Sequence, residues 1–248
     1  SYPLRSRFRT GLSVAMFAVI IFSIVVMSTL TTGFQKLFDN QDRLAGGYDV
    51  IAFARTELNP VQDLRAAVAA NPDLNFVRRA NAAPSVGTIR TIFDGSAKLG
   101  NHVTDVNGST DHAFADATIS GVDDDFVATN QYTISLATEE FVDDSDFGFN
   151  STAIWKALRD DPGLAVVSAL LLPTRNNFEF NVESDKFRMN VADLFMENHV
   201  MEPIPVIVRN KETGNEVTLQ VIAVVDDFGF FLPQGLFTSS RVLSQGEL

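Results

Sequence analysis

From Leu12 to Leu30 the chain reads LSVAMFAVIIFSIVVMSTL, nineteen residues without a charge. As a helix rising 1.5 Å per residue this stretch reaches ~28 Å, about the thickness of a bilayer's hydrocarbon core. The uncharged run extends from Thr10 to Gln35 and is apolar on every face rather than along one stripe, the pattern of a helix surrounded by lipid. A secretory signal would have an apolar region of ~7–15 residues followed by a small-x-small cleavage site. The residues after Val26 offer no clean site of that kind. A retained transmembrane helix over 11–33 is therefore expected, behind a cytoplasmic juxtamembrane segment over 1–10.

Charge sets the expected orientation. Arg5, Arg7 and Arg9 precede the span, and the first acidic residue is Asp39. The positive-inside bias puts the N-terminus in the cytoplasm and residues 34–248 outside the cell membrane. With those three arginines set aside, 16 of the 19 basic residues remain against all 31 acidic ones. So acidic a domain repels a phosphate backbone, and no nucleic-acid partner is expected. There is no cysteine, which excludes disulfides, thiolate metal sites and cysteine nucleophiles.

Beyond the span, Phe34, Leu37, Phe38 and Leu44 keep helical spacing, predicting a stalk helix over 34–45 that Gly46-Gly47 ends. A strand is expected over Tyr48–Ala54 and a helix from Asn59-Pro60 to about Ala70, then strands near 75–81, 85–93, 115–121 and 132–137. Ile154, Trp155 and Leu158 share one face of a helix over 151–159, ended by Asp160-Asp161-Pro162-Gly163. Leu164–Leu172 is an apolar run too short to span a membrane and reads as core. Ile204–Arg209 and Val217–Val225 flank a turn at Thr213-Gly214 and read as a β-hairpin. The fold class expected is an α+β extracytoplasmic domain, a mixed sheet with flanking helices in one unit or two lobes, on a single N-terminal transmembrane helix.

Arg5-Ser-Arg-Phe-Arg-Thr-Gly11 leading into Leu12–Leu30, the glycine pair, Gly121-Val-Asp-Asp-Asp-Phe126 and the late strand Val217–Val225 stand in an order that resembles the FtsX-like permease family of ABC transporters. There a basic R-x-R-T-x segment precedes the first membrane helix, and a periplasmic core domain like that of macrolide exporters follows. Ala223 stands where the family's late strand usually has glycine. Ala153–Val167 is similar to larger prokaryotic members, with a helix, a proline turn and an apolar strand. The resemblance implies a non-catalytic permease component without a cofactor. It would work in the membrane lipid with a separate cytoplasmic ABC-type ATPase and a second permease, as a homo- or heterodimer. Its external domain would couple ATP-driven helix motion to transport or to an extracytoplasmic partner. Because such permeases have several membrane helices, the resemblance also implies that this chain is a section of a longer protein. The alternative is a single-span anchor carrying an external sensor or adhesion domain.

Few residues suggest chemistry. His102 and His112 lie near Asp105, Asp111 and Asp116, donors suited to a divalent ion, but their spacing fits no ligand pattern. In Asp105-Val-Asn-Gly-Ser-Thr-Asp111 the glycine is fourth rather than sixth, unlike a calcium loop. The runs Asp123–Asp125 and Asp143-Asp144-Ser145-Asp146 read as solvated loops. Asp227-Phe228-Gly229 matches a kinase triplet without the rest of a kinase, and no Gly-x-Ser-x-Gly occurs. Asn107-Gly-Ser and Asn150-Ser-Thr are formal glycosylation sequons in expected surface loops. Phe228, Phe230, Phe231 and Leu232 form an apolar group after the last hairpin strand. They either contact a partner, substrate or membrane, or fold back as a core plug.

Overall fold

The computed structural model describes residues 7–39, 46–53, 66–67, 70–71, 86–143, 148–175, 185–226, 235–244 and 248. The predicted strand near 75–81 lies outside these residues, as does most of the helix predicted from Asn59; Ala66, Ala67 and Ala70 are helical.

The first element, α1, is a helix over Arg7–Asp39. Within it Thr10–Gly33, 24 residues of mean hydropathy 2.5, has no buried residue and is long and apolar enough to cross a membrane. Ser23, Thr29 and Thr32 each donate to the carbonyl four residues back, at 2.8, 2.9 and 2.8 Å, so these three hydroxyls are not left to be desolvated alone. The helix enters the predicted stalk as far as Asp39, and 40–45 lie outside the described residues.

The remaining elements are β1 (Ile89–Leu99), β2 (Ala115–Val122), α2 (Asp124–Thr129), β3 (Ile134–Thr138), β4 (Val142–Asp143), β5 (Gly148–Phe149), α3 (Ser151–Asp160), β6 (Leu164–Ser168), β7 (Val200–Met201), β8 (Ile204–Asn210), β9 (Glu216–Val225), β10 (Leu236–Ser239) and α4 (Ser240–Ser244). The mixed sheet with flanking helices is present, and it closes on itself. Strand order runs β6-β10-β2-β1-β8-β9, and β9 pairs back to β6, giving a six-stranded barrel from which β3 and β7 extend off β9. Two of the six seams are parallel, β10 with β2 and β6 with β9; the other four are antiparallel. Closure leaves those six strands without the open edge that an ordinary sheet must protect.

Pairing register follows one face around the ring. Val206 lies opposite Leu219 and Leu99, Val208 opposite Val217 and Ala97, and Ala97 opposite Ala115. Ile119 faces Leu236, Leu236 faces Val167, and Val167 faces Val224. These residues form one buried cluster, the barrel interior. Two bulges keep the face continuous. Between Ile92 and Gly95 of β1 two residues oppose one of β2, and the register of β9 on β6 slips between Val221 and Ala223. Each adds a residue, so Ile92 and Gly95, and likewise Val221 and Val224, point the same way despite odd spacing.

A second core lies outside the barrel wall. Val166, Phe237, Ile222, Ala223 and Val225 on the outer faces of β6, β10 and β9 are covered by Ile154, Trp155 and Leu158 of α3 and by Phe126 and Val127 of α2. The helical face expected for 151–159 is thus the buried one, and Asn150 caps it by accepting the Ala153 N–H at 3.0 Å. The 204–209 and 217–225 hairpin is found, turning through 211–215. The apolar run from Leu164 is strand to Ser168 and then a 3-10 turn over Ala169–Leu171.

Three expectations need correction. Tyr48–Phe53 forms no strand, because this segment lies against α2 through its first residues rather than in a sheet. The strand expected at 85–93 begins at Ile89 and runs on to Leu99; Thr88 is held instead by a side chain. Asp123–Asp125 is a helix start rather than a solvated loop: Asp123 caps α2, and carboxylates there also favour the positive end of the helix dipole.

Candidate functional site

The chain that leaves α1 meets the barrel domain at one well-defined place. Gly46 and Gly47 have φ of +58° and +83°, the left-handed region that a side chain disfavours. The Gly46 carbonyl accepts the Gln131 N–H at 2.8 Å. A Cβ on Gly46 would lie 2.2 Å from the Tyr132 ring, and Tyr132 is only 4% exposed. The pair is therefore required for close approach as well as for a turn.

Tyr48 completes the contact. Its ring stacks on Phe126 with centroids 6.0 Å apart and planes 18° apart; Phe126 in turn stacks on Tyr132 at 6.1 Å and meets Trp155 edge-on at 5.8 Å. Phe126 is the centre of this cluster. The Thr129 hydroxyl donates to the Asp125 carbonyl at 2.7 Å, leaving its oxygen to accept from the Tyr48 hydroxyl, also at 2.7 Å. Asp123 closes the arrangement from below. It accepts the Phe126 N–H at 2.6 Å, the Thr88 N–H at 3.1 Å and the Thr88 hydroxyl at 2.7 Å, tying the start of β1 to α2. Gly87, just before it, could not carry a Cβ without touching the Phe126 backbone and the Tyr48 hydroxyl, both at 2.6 Å.

Burial pushes the Tyr48 phenol above its ordinary value of 10.0, and the carboxylates of Asp123 and Asp125 push it the same way. The raised value means that the docked state holds the proton more tightly than the unfolded chain does. The contribution to stability is then full below about pH 10 and lost as pH rises through the docked value. In an alkaline titration, stability should fall above pH ~10, and Tyr48→Phe should remove that part of the fall. An unchanged alkaline limb in the phenylalanine variant would contradict the assignment.

The other residues singled out by sequence are placed as follows. Phe228, Phe230, Phe231 and Leu232, and Arg5, lie outside the described residues. Both ends of the 227–234 connection are described, and they meet at Ser168. Val225 pairs with Ser168, whose N–H donates to the Gly235 carbonyl at 3.0 Å. Asp105 spends one carboxylate oxygen on the N–H groups of Asn107 and Ser109, at 2.9 and 2.8 Å, as a local turn does. His112 Nε2 lies 2.9 Å from the Val103 carbonyl, and Asp116 pairs with Lys211. Among the described residues no three His, Asp or Glu gather as a metal site. Asn107 is exposed in its turn, and the Asn150 side chain is used as the α3 cap.

Sequence reasoning missed the aromatic cluster. Tyr48, Phe126, Tyr132 and Trp155 are spread over more than a hundred residues; the sequence shows the glycine pair as a helix stop and Trp155 on a helix face, but nothing that joins them. Compared with protein-family models, curated proteins and solved structures, the chain gives no match.

Proposed function

We propose that this chain is a component of an ABC-transporter permease of the FtsX-like kind. In this reading α1 spans the cell membrane with Arg5, Arg7 and Arg9 at the cytoplasmic face, and the barrel domain stands on the extracytoplasmic side. Hydrolysis of ATP by a separate cytoplasmic ATPase moves the helix, within a dimer with a second permease. The barrel relays that motion to a transported substrate or an extracytoplasmic partner. The chain itself performs no catalysis.

The observation that carries the reading is the docking of Gly46–Tyr48 on α2 and Tyr132. A helix in lipid satisfies its own backbone and moves as a stiff body. Its motion reaches a folded domain only through the chain that joins them, and the described end of that chain, Gly46–Tyr48, is held by two hydrogen bonds and a ring stack. A closed barrel suits the receiving end, because interior packing resists shear and transmits displacement as a whole. The order of basic lead-in, span, glycine pair and late strand supports the family assignment.

The test is a variant of the partner ATPase that binds ATP without hydrolysing it. Function of the assembled complex should be lost with it. Ligand binding that persists unchanged in cells carrying only this variant would favour a single-span sensor or adhesion protein instead.

A further inference from the structure

We infer that Val50 and Phe53 form a secondary membrane contact, seating the segment after the glycine pair in the interface between lipid headgroups and acyl chains. The inference rests on the reading of α1 as a membrane span. Among the described residues outside α1, four large apolar side chains are exposed: Val50, Phe53, Val106 and Val200. Val50 is 62% and Phe53 78% exposed, and they sit three residues apart in a segment that forms no helix or strand. Exposing a phenylalanine to water to that extent forgoes the burial this residue type ordinarily finds.

Chain length decides what covers them. From Asp39, the last residue of α1, to Gly46 is seven residues, which reach at most ~25 Å when fully extended. The helical residues between Gly33 and Asp39 add about 9 Å. Gly46 is fixed to the α2–β3 connection by the Gln131 hydrogen bond, so this end of the domain is held within about 34 Å of the end of the span. Val106 is held elsewhere. It bonds to Asn190, in the 105–109 turn beyond the Leu99 end of β1, whereas Gly87 and Tyr48 meet at the Ile89 end. Eleven residues of strand, roughly 35 Å, separate the two.

The chemistry fits an uncharged interface rather than an anionic one. Asp49 is the one charged residue from Gly46 to Phe53, and the chain as a whole carries −12. Attraction to acidic lipid is thereby excluded as the driving force, leaving apolar insertion with an aromatic side chain at headgroup depth.

The experiment uses the absence of cysteine. Three single-cysteine variants of the full chain, Ile21→Cys, Ala52→Cys and Val106→Cys, are labelled with an environment-sensitive fluorophore and reconstituted into phosphatidylcholine vesicles. In separate vesicles a fraction of the lipid carries a nitroxide near the end of the acyl chain, to read position 21 at mid-span, or high on the chain, to read positions 52 and 106. Ala52 is exposed and leaves Val50 and Phe53 intact. The expected result is about twofold quenching at positions 21 and 52 and little at 106. Adding Val50→Ser and Phe53→Ser should return position 52 to the level of 106. Quenching at 21 with position 52 no different from 106, or unaffected by the serine pair, overturns the interfacial contact and leaves the span standing. No quenching at 21 overturns the span and the contact together.

Discussion

Replacing Gly46 with valine should release the segment after α1 from the barrel domain while leaving the barrel folded. The left-handed φ of +58° costs a β-carbon residue ~1–2 kcal/mol, and forcing side-chain atoms onto the buried Tyr132 ring adds about 1–3. The docking it opposes consists of the Gln131 and Tyr48 hydrogen bonds and one ring stack, together ~2–4 kcal/mol at ordinary values. Penalty and gain are of the same size, so detachment is the cheaper response than rearranging Tyr132. Limited proteolysis between Gly47 and Phe53 should accelerate by at least about tenfold, as a change of ~1.4 kcal/mol or more requires. The barrel's own unfolding midpoint should move little. Combining Gly46→Ala with Tyr132→Ala removes the collision but not the φ penalty, and should restore docking only in part. Wild-type protection in Gly46→Val would contradict the role given to the glycine pair.

Trp155→Ala should be the most destabilising single change in the outer core. The side chain is 2% exposed and packs between Phe126 and the outer wall of the barrel. Emptying such a site costs ~3–5 kcal/mol, about a fifth or more of an ordinary domain's stability. Among the described residues the indole N–H has no hydrogen-bond partner, so the loss is one of packing rather than of a bond. Trp155→Phe, which keeps much of the volume and removes the unsatisfied donor, should cost less than about 2 kcal/mol. Because Trp155 is the only tryptophan, denaturation of both variants is followed by circular dichroism. An alanine variant within ~1 kcal/mol of wild type would show that α3 is not anchored through this ring.

Elements whose signal is local were legible in the sequence. The apolar span, the hairpin flanking Thr213-Gly214, the buried face of α3 and the run from Leu164 each declare themselves within about twenty residues. Barrel closure does not. It depends on β6 pairing with β9 across fifty residues and with β10 across seventy, and alternation within a strand says nothing of its neighbour. The bulges hide the pattern further: Val221 and Val224 both face inward, which strict alternation forbids.

The junction was half legible for a different reason. Gly46-Gly47 ends a helix and permits close approach to a ring, and composition distinguishes neither use from the other. Asp123 looked like one of three solvated carboxylates, yet its side chain holds Phe126 and Thr88. What separates it from Asp124 and Asp125 is its position one residue before the helix, a boundary that depends on where β2 stops. Tyr48–Phe53 has the composition of a strand, and the stack of Tyr48 on Phe126 decides otherwise.

Coupling between α1 and the barrel through the Gly46–Tyr48 junction is tested most directly by hydrogen exchange at one amide. The Gln131 N–H is bonded to the Gly46 carbonyl and exchanges only when the two separate. In the full chain in lipid it should be protected to an extent approaching the amides of β8 and β9, so that docking opens only rarely. Exchange of Gln131 near the rate of an open chain, with the barrel amides protected, would show that Gly46–Tyr48 is not docked and that helix motion does not reach the barrel through it.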